Sequence, residues 1–553
     1  MKGLGLKACL LAILLGAATP AAAQDADPTK LPAPVVVADD DLSAALESGE
    51  LSEAEYALER ARSIFRLARV RAEFGNVAAP AAHDATLILR DLAARVRELS
   101  GAERKAAERL LARPPTSTGG VPIGNGWTVS EASNSPLCGA NVCIHWVETS
   151  ADAPALTDVS PANTFPDWVD LALLTWEDSW FQQIDVLDYR APLSDLSSPH
   201  DGGDAALDVY LDDLGPSSVF GYCTSDDPNA NVPTVFAVSA YCVVDNDYTP
   251  LQYGTEHSPQ EFLEVTSAHE FHHASQFAYD WLEDYWLLEG TAVNMEETVY
   301  PAIDDNVNFL RFWSPLSRPS SPLDRGGLGN SEYGSWIFWR FLEEKVAADP
   351  TILREIWERA DAAFPGVSPD DYSLLAARKE LASRGLTFPE VFADFTVANR
   401  LRDYADADTA DYPIPPRTRT YTVGRRQRDT GWRTWRVNHL ATRYFVFRAG
   451  SAVGGSARLR VAVKLPKHGA RATLIVVRTD GSVSKRRLKR NAKGYARSSA
   501  LFGPHDVRRV ELVLSNGSTR IASCWRFPGA PTYSCLGRPL DDRRVFELRA
   551  RLR

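Results

Sequence analysis

The sequence predicts an α+β protein in three consecutive parts: an N-terminal helical region, a mixed central domain and a C-terminal β-sandwich. Three observations predict it. From about Asp40 to Arg113, apolar side chains recur at three- and four-residue intervals among strong helix formers. The apolar stretch from Val265 to Val299 carries an H-E-x-x-H motif at His269, Glu270 and His273. Beyond Thr418 the pattern changes to short β segments, punctuated by the turn dipeptides Asp480-Gly481 and Asn516-Gly517. A chain of 553 residues is long enough for several cores.

The chain opens with Lys2 and Lys7, an apolar run from Ala8 to Ala18, and Ala21-Ala22-Ala23 before Gln24. This is the pattern of a secretory signal peptide spanning residues 1–23, with an apolar run too short to cross a bilayer. No later segment reads as a transmembrane helix, so the expectation is a soluble, exported protein, extracellular or periplasmic. Outside the leader there are six cysteines, an even number suited to an oxidising compartment. They fall into sequence-local couples, so the expected disulfides are Cys138–Cys143, Cys223–Cys242 and Cys524–Cys535. No C-x-x-C pair supports a structural zinc site instead.

Residues 24–117 form the expected helical region. Glu53 to Arg62 and Asp84 to Leu99 are its clearest helices, with Ser52 and Ser100 as capping residues. Ahead of an enzyme domain such a module could be a pro-segment covering the cleft, or a permanent accessory layer. It contains no cysteine, which excludes a thiol-based block of a metal site. A linker by composition, Arg113 to Gly120, leads into the central domain, residues 118–402. There Val142 to Val147, Leu207 to Leu211 and Thr234 to Val244 read as strands, and Pro166 to Phe181 as a helix.

In a helix, the four-residue spacing puts His269 and His273 one turn apart on one face, within reach of a single Zn²⁺. Phe262, Leu263, Val265, Ala268, Phe271, Ala274, Phe277 and Ala278 leave few polar sides, which implies a buried helix. Zinc explains two histidines and a glutamate in such a place: it takes three protein ligands plus a water whose pKa it lowers to about 7. His272, between the ligands, reads as a packed residue. A metzincin would need Gly and His where Gln276 and Tyr279 stand. The third ligand is therefore expected on a following helix, where Trp286 to Ala292 offers Glu289; Glu283, Glu296 and Glu297 remain alternatives.

The pair of motifs resembles that of the gluzincin, or thermolysin-like, metallopeptidases. Asp208-Val209-Tyr210-Leu211, Gly221-Tyr222-Cys223, the segment from Pro166 to Asp170 and the segment from Gly334 to Leu342 extend the resemblance to a bacterial family of secreted metallopeptidases of the myxobacterial type. The resemblance implies a thermolysin-like zincin domain, with metal ligands His269, His273 and Glu289 and Glu270 as general base. It also implies an edge strand for the substrate backbone, for which the segment from Thr234 to Val244 is the candidate. An oxyanion-stabilising side chain from a later helix is implied too, with Tyr333 as candidate; a packing tyrosine is the alternative. Members often carry an Asp- and Gly-rich, calcium-like loop where this chain has Asp158 to Phe165, which leaves calcium open.

Helical patterns resume at Tyr333–Lys345, Pro350–Phe364 and Tyr372–Leu386, and Asp403 to Thr418 reads as an acidic, then proline-rich linker. The net charge of −12 hides an asymmetry: from Arg417 onward there are about 32 Lys and Arg against about 7 Asp and Glu. The basic β-sandwich, residues 419–553, includes the run Lys485 to Arg490 and could contact an anionic surface or polymer; a solvated hairpin is the alternative.

The expected function is a secreted zinc endopeptidase with a protein or peptide substrate and one zinc per chain. No nucleic-acid partner is expected. The alternatives are a catalytically silent binding protein on the same fold and a zinc hydrolase of non-protein substrates.

Overall fold

The computed structural model describes residues 31, 33–34, 36, 38–80, 85–114, 126–198, 200–232, 234–326, 331–362, 371–408, 410–450, 453–522 and 532–553. The expected signal peptide and Cys524 lie outside them. Among the described residues no helix is long and apolar enough to cross a membrane. The structure is mixed α and β, with two large apolar cores in residues 31–440 and a third in the C-terminal part.

The N-terminal helices are α1 (Asp41–Ser48), α2 (Glu53–Phe74), α3 (Ala85–Arg95) and α4 (Gly101–Leu110). Asp40 caps α1, accepting from the Ser43 amide at 3.1 Å. Ser52 and Glu55 form a reciprocal capping box at the start of α2. Helix α3 is buried along its whole length, between α2 and the central domain. The chain after α4 is pinned by Arg113, whose buried guanidinium pairs with Asp195, Asp208 and Asp226.

The central sheet comprises β1 (Leu137–Cys138), β2 (Val142–His145), β3 (Leu207–Asp212), β4 (Gly221–Thr224) and β5 (Tyr241–Asp245), in the order β1-β2-β3-β5-β4. Helix α5 (Asp167–Trp180) lies between β2 and β3 in the chain and continues as one π-helical segment, Phe181–Val186. The strand expected over Thr234–Val244 is corrected: residues 234–240 are irregular, and β5 is an interior strand between β3 and β4. Among the described residues β4 is the outer strand at the β5 side of the sheet, paired antiparallel to β5 alone, and β1 is the outer strand at the other side. The disulfides Cys138–Cys143 and Cys223–Cys242 are both present, the second joining β4 to β5.

After the short α6 (Pro250–Tyr253) come the two central helices, α7 (Pro259–Asp280) and α8 (Tyr285–Val299), packed on each other. They are followed by α9 (Val307–Phe312), α10 (Trp336–Phe341), α11 (Thr351–Arg359), α12 (Leu374–Ser383) and α13 (Phe388–Leu401). In the Asp158–Phe165 loop, Asp158 accepts from the Asn163 and Thr164 amides, and Asp167 from those of Val159 and Ser160.

The C-terminal strands are β6 (Arg419–Val423), β7 (Arg433–Val437), β8 (Ala441–Ala449), β9 (Arg458–Lys464), β10 (Ala470–Arg478), β11 (Val483–Arg487), β12 (Tyr495–Leu501), β13 (Val507–Asn516), β14 (Ile521–Ala522), β15 (Arg538–Pro539) and β16 (Arg544–Leu552). A five-stranded sheet, β11-β10-β13-β8-β6, and a four-stranded one, β12-β9-β16-β7, share one apolar core. Asp480-Gly481 turns the β10–β11 hairpin as expected. Asn516-Gly517 makes no hairpin: Asn516 is buried and its amide donates to the carbonyls of Asn438 and Asp541.

The sandwich is docked rather than merely tethered. Ile475, Val477 and Val513 pack with Val397 of α13, and Arg400 pairs with Glu511 at 2.5 Å. Asp324 and His439, both fully buried, meet at 3.2 Å, and the Cys535 amide donates to buried Asp284 at 2.7 Å. In the basic run, Lys485 pairs with Asp403, and Arg487 with Asp394.

Candidate metal centre

Helix α7 begins cleanly because Ser258 and Glu261 form a second capping box and Pro259, with no N–H to leave unsatisfied, takes the first turn. From Val265 to Asp280 no residue reaches solvent appreciably, so every polar side chain on this stretch needs a partner. Helix α8 returns alongside after the tight connection Trp281–Asp284, and its first turns bring Glu289 against the histidines.

The result is a triangle. Nε2 of His269 lies 3.1 Å from Nε2 of His273, and Glu289 Oε2 lies 3.2 Å from the first and 3.5 Å from the second. All three residues are essentially inaccessible. The far side of each ring is fixed. Nδ1 of His273 is 2.7 Å from Gln276 Oε1, and the Gln276 amide nitrogen donates to the Leu288 carbonyl and the Thr291 hydroxyl, which leaves its oxygen as the acceptor. His273 therefore carries its proton on Nδ1 and turns the Nε2 lone pair inward. Nδ1 of His269 lies 2.7 Å from Glu296 Oε1, which orients that ring in the same sense.

Three acceptor atoms facing one another at this range repel unless a cation or a proton lies among them. Burial opposes ionisation of Glu289, yet the adjoining His273 and His269 hold it down at about 2. An ionised carboxylate is the form a metal ion would need there. Glu296, buried beside it, is pushed up to about 7 against the pull of His269.

Of the alternative ligands, Glu283 accepts from the Ser373 and Asp284 amides. Glu297 accepts from Asn306, with Arg340 beside it. Neither joins the triangle, and Glu296 stands behind His269 instead. His272 points away, to Gln183 Oε1 at 2.9 Å and the edge of Tyr189, and burial then the two neighbouring histidines lower its pKa well below the usual value. The π-helical segment after α5 carries Gln183, whose amide also donates to the Ala268 carbonyl. Tyr333 is fully buried and stacked on Phe309 at 5.2 Å, which gives its ring a packing part.

Glu270 lies next to the triangle on α7. Burial raises its pKa, with His269 and His273 opposing. Its Oε2 accepts a hydrogen bond from the Thr86 hydroxyl of α3 at 2.9 Å. The site is closed. An open cleft of about 750 Å³ lies elsewhere, on the sandwich, lined by Arg436, Lys464, Lys467 and Arg544.

Spacing offers Glu296 only as an alternative ligand and gives Gln276 no part, although their places behind the two rings were within its reach. Gln276 is three residues past His273 on one helix face, and Glu296 two turns past Glu289. No protein-family model matches the chain, and no curated protein matches it.

Proposed function

We propose that the protein is a zinc-dependent peptidase of the thermolysin-like type, exported from the cell, with His269, His273 and Glu289 as ligands. One observation carries the reading: two inward-facing imidazole nitrogens and a buried carboxylate form a triangle whose edges are 3.1, 3.2 and 3.5 Å. Ligands at the usual zinc distances, tetrahedrally placed, stand about 3.3–3.4 Å apart. Two nitrogens and one oxygen donor, with orienting partners behind both rings, suit zinc better than a hard oxygen-seeking cation. The two disulfides support export.

Bound there, zinc would supply Lewis-acid activation of water and of the scissile carbonyl. Glu270, one residue along α7 from the first ligand, takes the proton from the attacking water and hands it to the leaving amine. Glu296 and Gln276 hold the imidazoles in the tautomer that presents Nε2.

The test is Glu270→Gln assayed on a peptide library. It should keep its zinc and lose about 100-fold or more of the hydrolysis rate, the scale of a lost general base. Undiminished, chelator-sensitive hydrolysis in this variant would remove Glu270 from the mechanism.

A further inference from the structure

We infer that helix α3 is an autoinhibitory element seated in the substrate cleft, so that the full chain is a latent enzyme until α1–α4 move away. The inference rests on the peptidase reading and names the regulation of the same site.

Two hydrogen bonds of one hydroxyl carry it. Thr86 Oγ1 donates to Glu270 Oε2 at 2.9 Å and accepts from the Cys223 amide at 2.9 Å. The first bond occupies one oxygen of the carboxylate that must take the proton of the attacking water. The second occupies an outward amide of β4, an outer strand, where an extended peptide would add to the sheet by main-chain hydrogen bonds. A single side chain thus covers the general base and the strand edge together, from 184 residues away in sequence.

The rest of α3 holds it there. Arg90 donates to the Glu283 carbonyl at 3.0 Å, between the two ligand-bearing helices, and pairs with Asp91 at 2.8 Å. Leu87 packs into the core around Leu288 and Trp286, while Ile88 and Leu92 enter the core beneath the sheet. With α3 in place His269, Glu270, His273 and Glu289 are at most 1% exposed, and no polypeptide can reach them. A helix serving only as packing would have no need of a hydroxyl at position 86, since a buried hydroxyl is costly unless bonded, and both its partners here belong to the cleft. Arg113 lies just beyond α4 and stays bound to Asp195, Asp208 and Asp226, so α1–α4 can leave while the chain remains anchored to the sheet.

The experiment compares the zinc-loaded full chain before and after limited trypsin digestion. A quenched fluorogenic peptide library reports the rate, intact mass reports whether α1–α4 remain, and metal analysis accompanies both. The digested form should be about 100-fold or more faster than the untreated chain, at equal zinc. Arg90→Ala, which loosens α3 without touching the site, should raise the rate of the undigested chain about 10-fold at equal zinc. If Arg90→Ala does not fold, the digestion decides alone. Equal rates before and after loss of α1–α4 would overturn the inference, as would a digested form that keeps its zinc and stays inactive, or one that loses its zinc. A chain that takes up no zinc in either state overturns the peptidase reading, and this inference with it.

Discussion

Glu296 Oε1 lies 2.7 Å from Nδ1 of His269, behind the ring whose Nε2 faces Glu289. A carboxylate in that position fixes the tautomer and raises the basicity of the ligand nitrogen. Glu296→Gln should therefore weaken zinc affinity by about 10- to 100-fold while one ion still binds at saturation. Competition titration against a chromogenic chelator measures this, and an unchanged affinity would free Glu296 of the role.

The sandwich and the central domain should be energetically coupled through Asp324 and His439, which are fully buried and 3.2 Å apart. Burial works against the charge on Asp324, but His439 and Ser534 hold its pKa below the usual value. His439→Ala leaves that carboxylate short of its partner, at a cost of about 3–5 kcal/mol. Urea unfolding of the full chain should show it; a loss under about 1 kcal/mol would mean that the two parts stand independently.

Asp284 sets a pH dependence of the opposite kind. Burial lifts its carboxyl from 3.8 to about 7, against hydrogen bonds from Ser373 and the Cys535 amide. The folded state then binds a proton that the unfolded state has released. The stability this group contributes is complete below pH 3.8 and is lost as pH rises to about 7, by up to about 1.4 kcal/mol per unit. Asp284→Asn keeps the acceptor oxygen and should flatten that part of the curve. Denaturation midpoints at pH 4.5 and 7 that move in parallel for variant and parent would contradict the assignment.

Much of this architecture was legible in the sequence where the determinants are local. The helices of residues 41–110, α5 and β3 follow from periodicity and capping residues, and the pairing of His269 with His273 from a spacing of one helical turn. What escaped depends on distant contacts. Residues 234–240 are as rich in β-branched and aromatic side chains as a strand, yet they run irregularly, and Val238 donates its amide to the Phe277 carbonyl of α7 instead. Asn516-Gly517 has the composition of a hairpin turn, but the Asn516 side chain is engaged by carbonyls on two other segments. Helix α13 is buried along most of its length against a partner sheet that only the fold brings to it, which blunts the helical stripe. The Thr86–Glu270 contact has no local signature at all.

The most direct measurement is zinc content. Purified protein should hold about one zinc per chain, and His273→Ala or Glu289→Ala should hold almost none, because each removes one corner of a three-ligand set. Glu296→Ala should retain the metal more weakly. A parent protein without zinc, or a His273→Ala protein that keeps a full complement, would contradict the proposed centre.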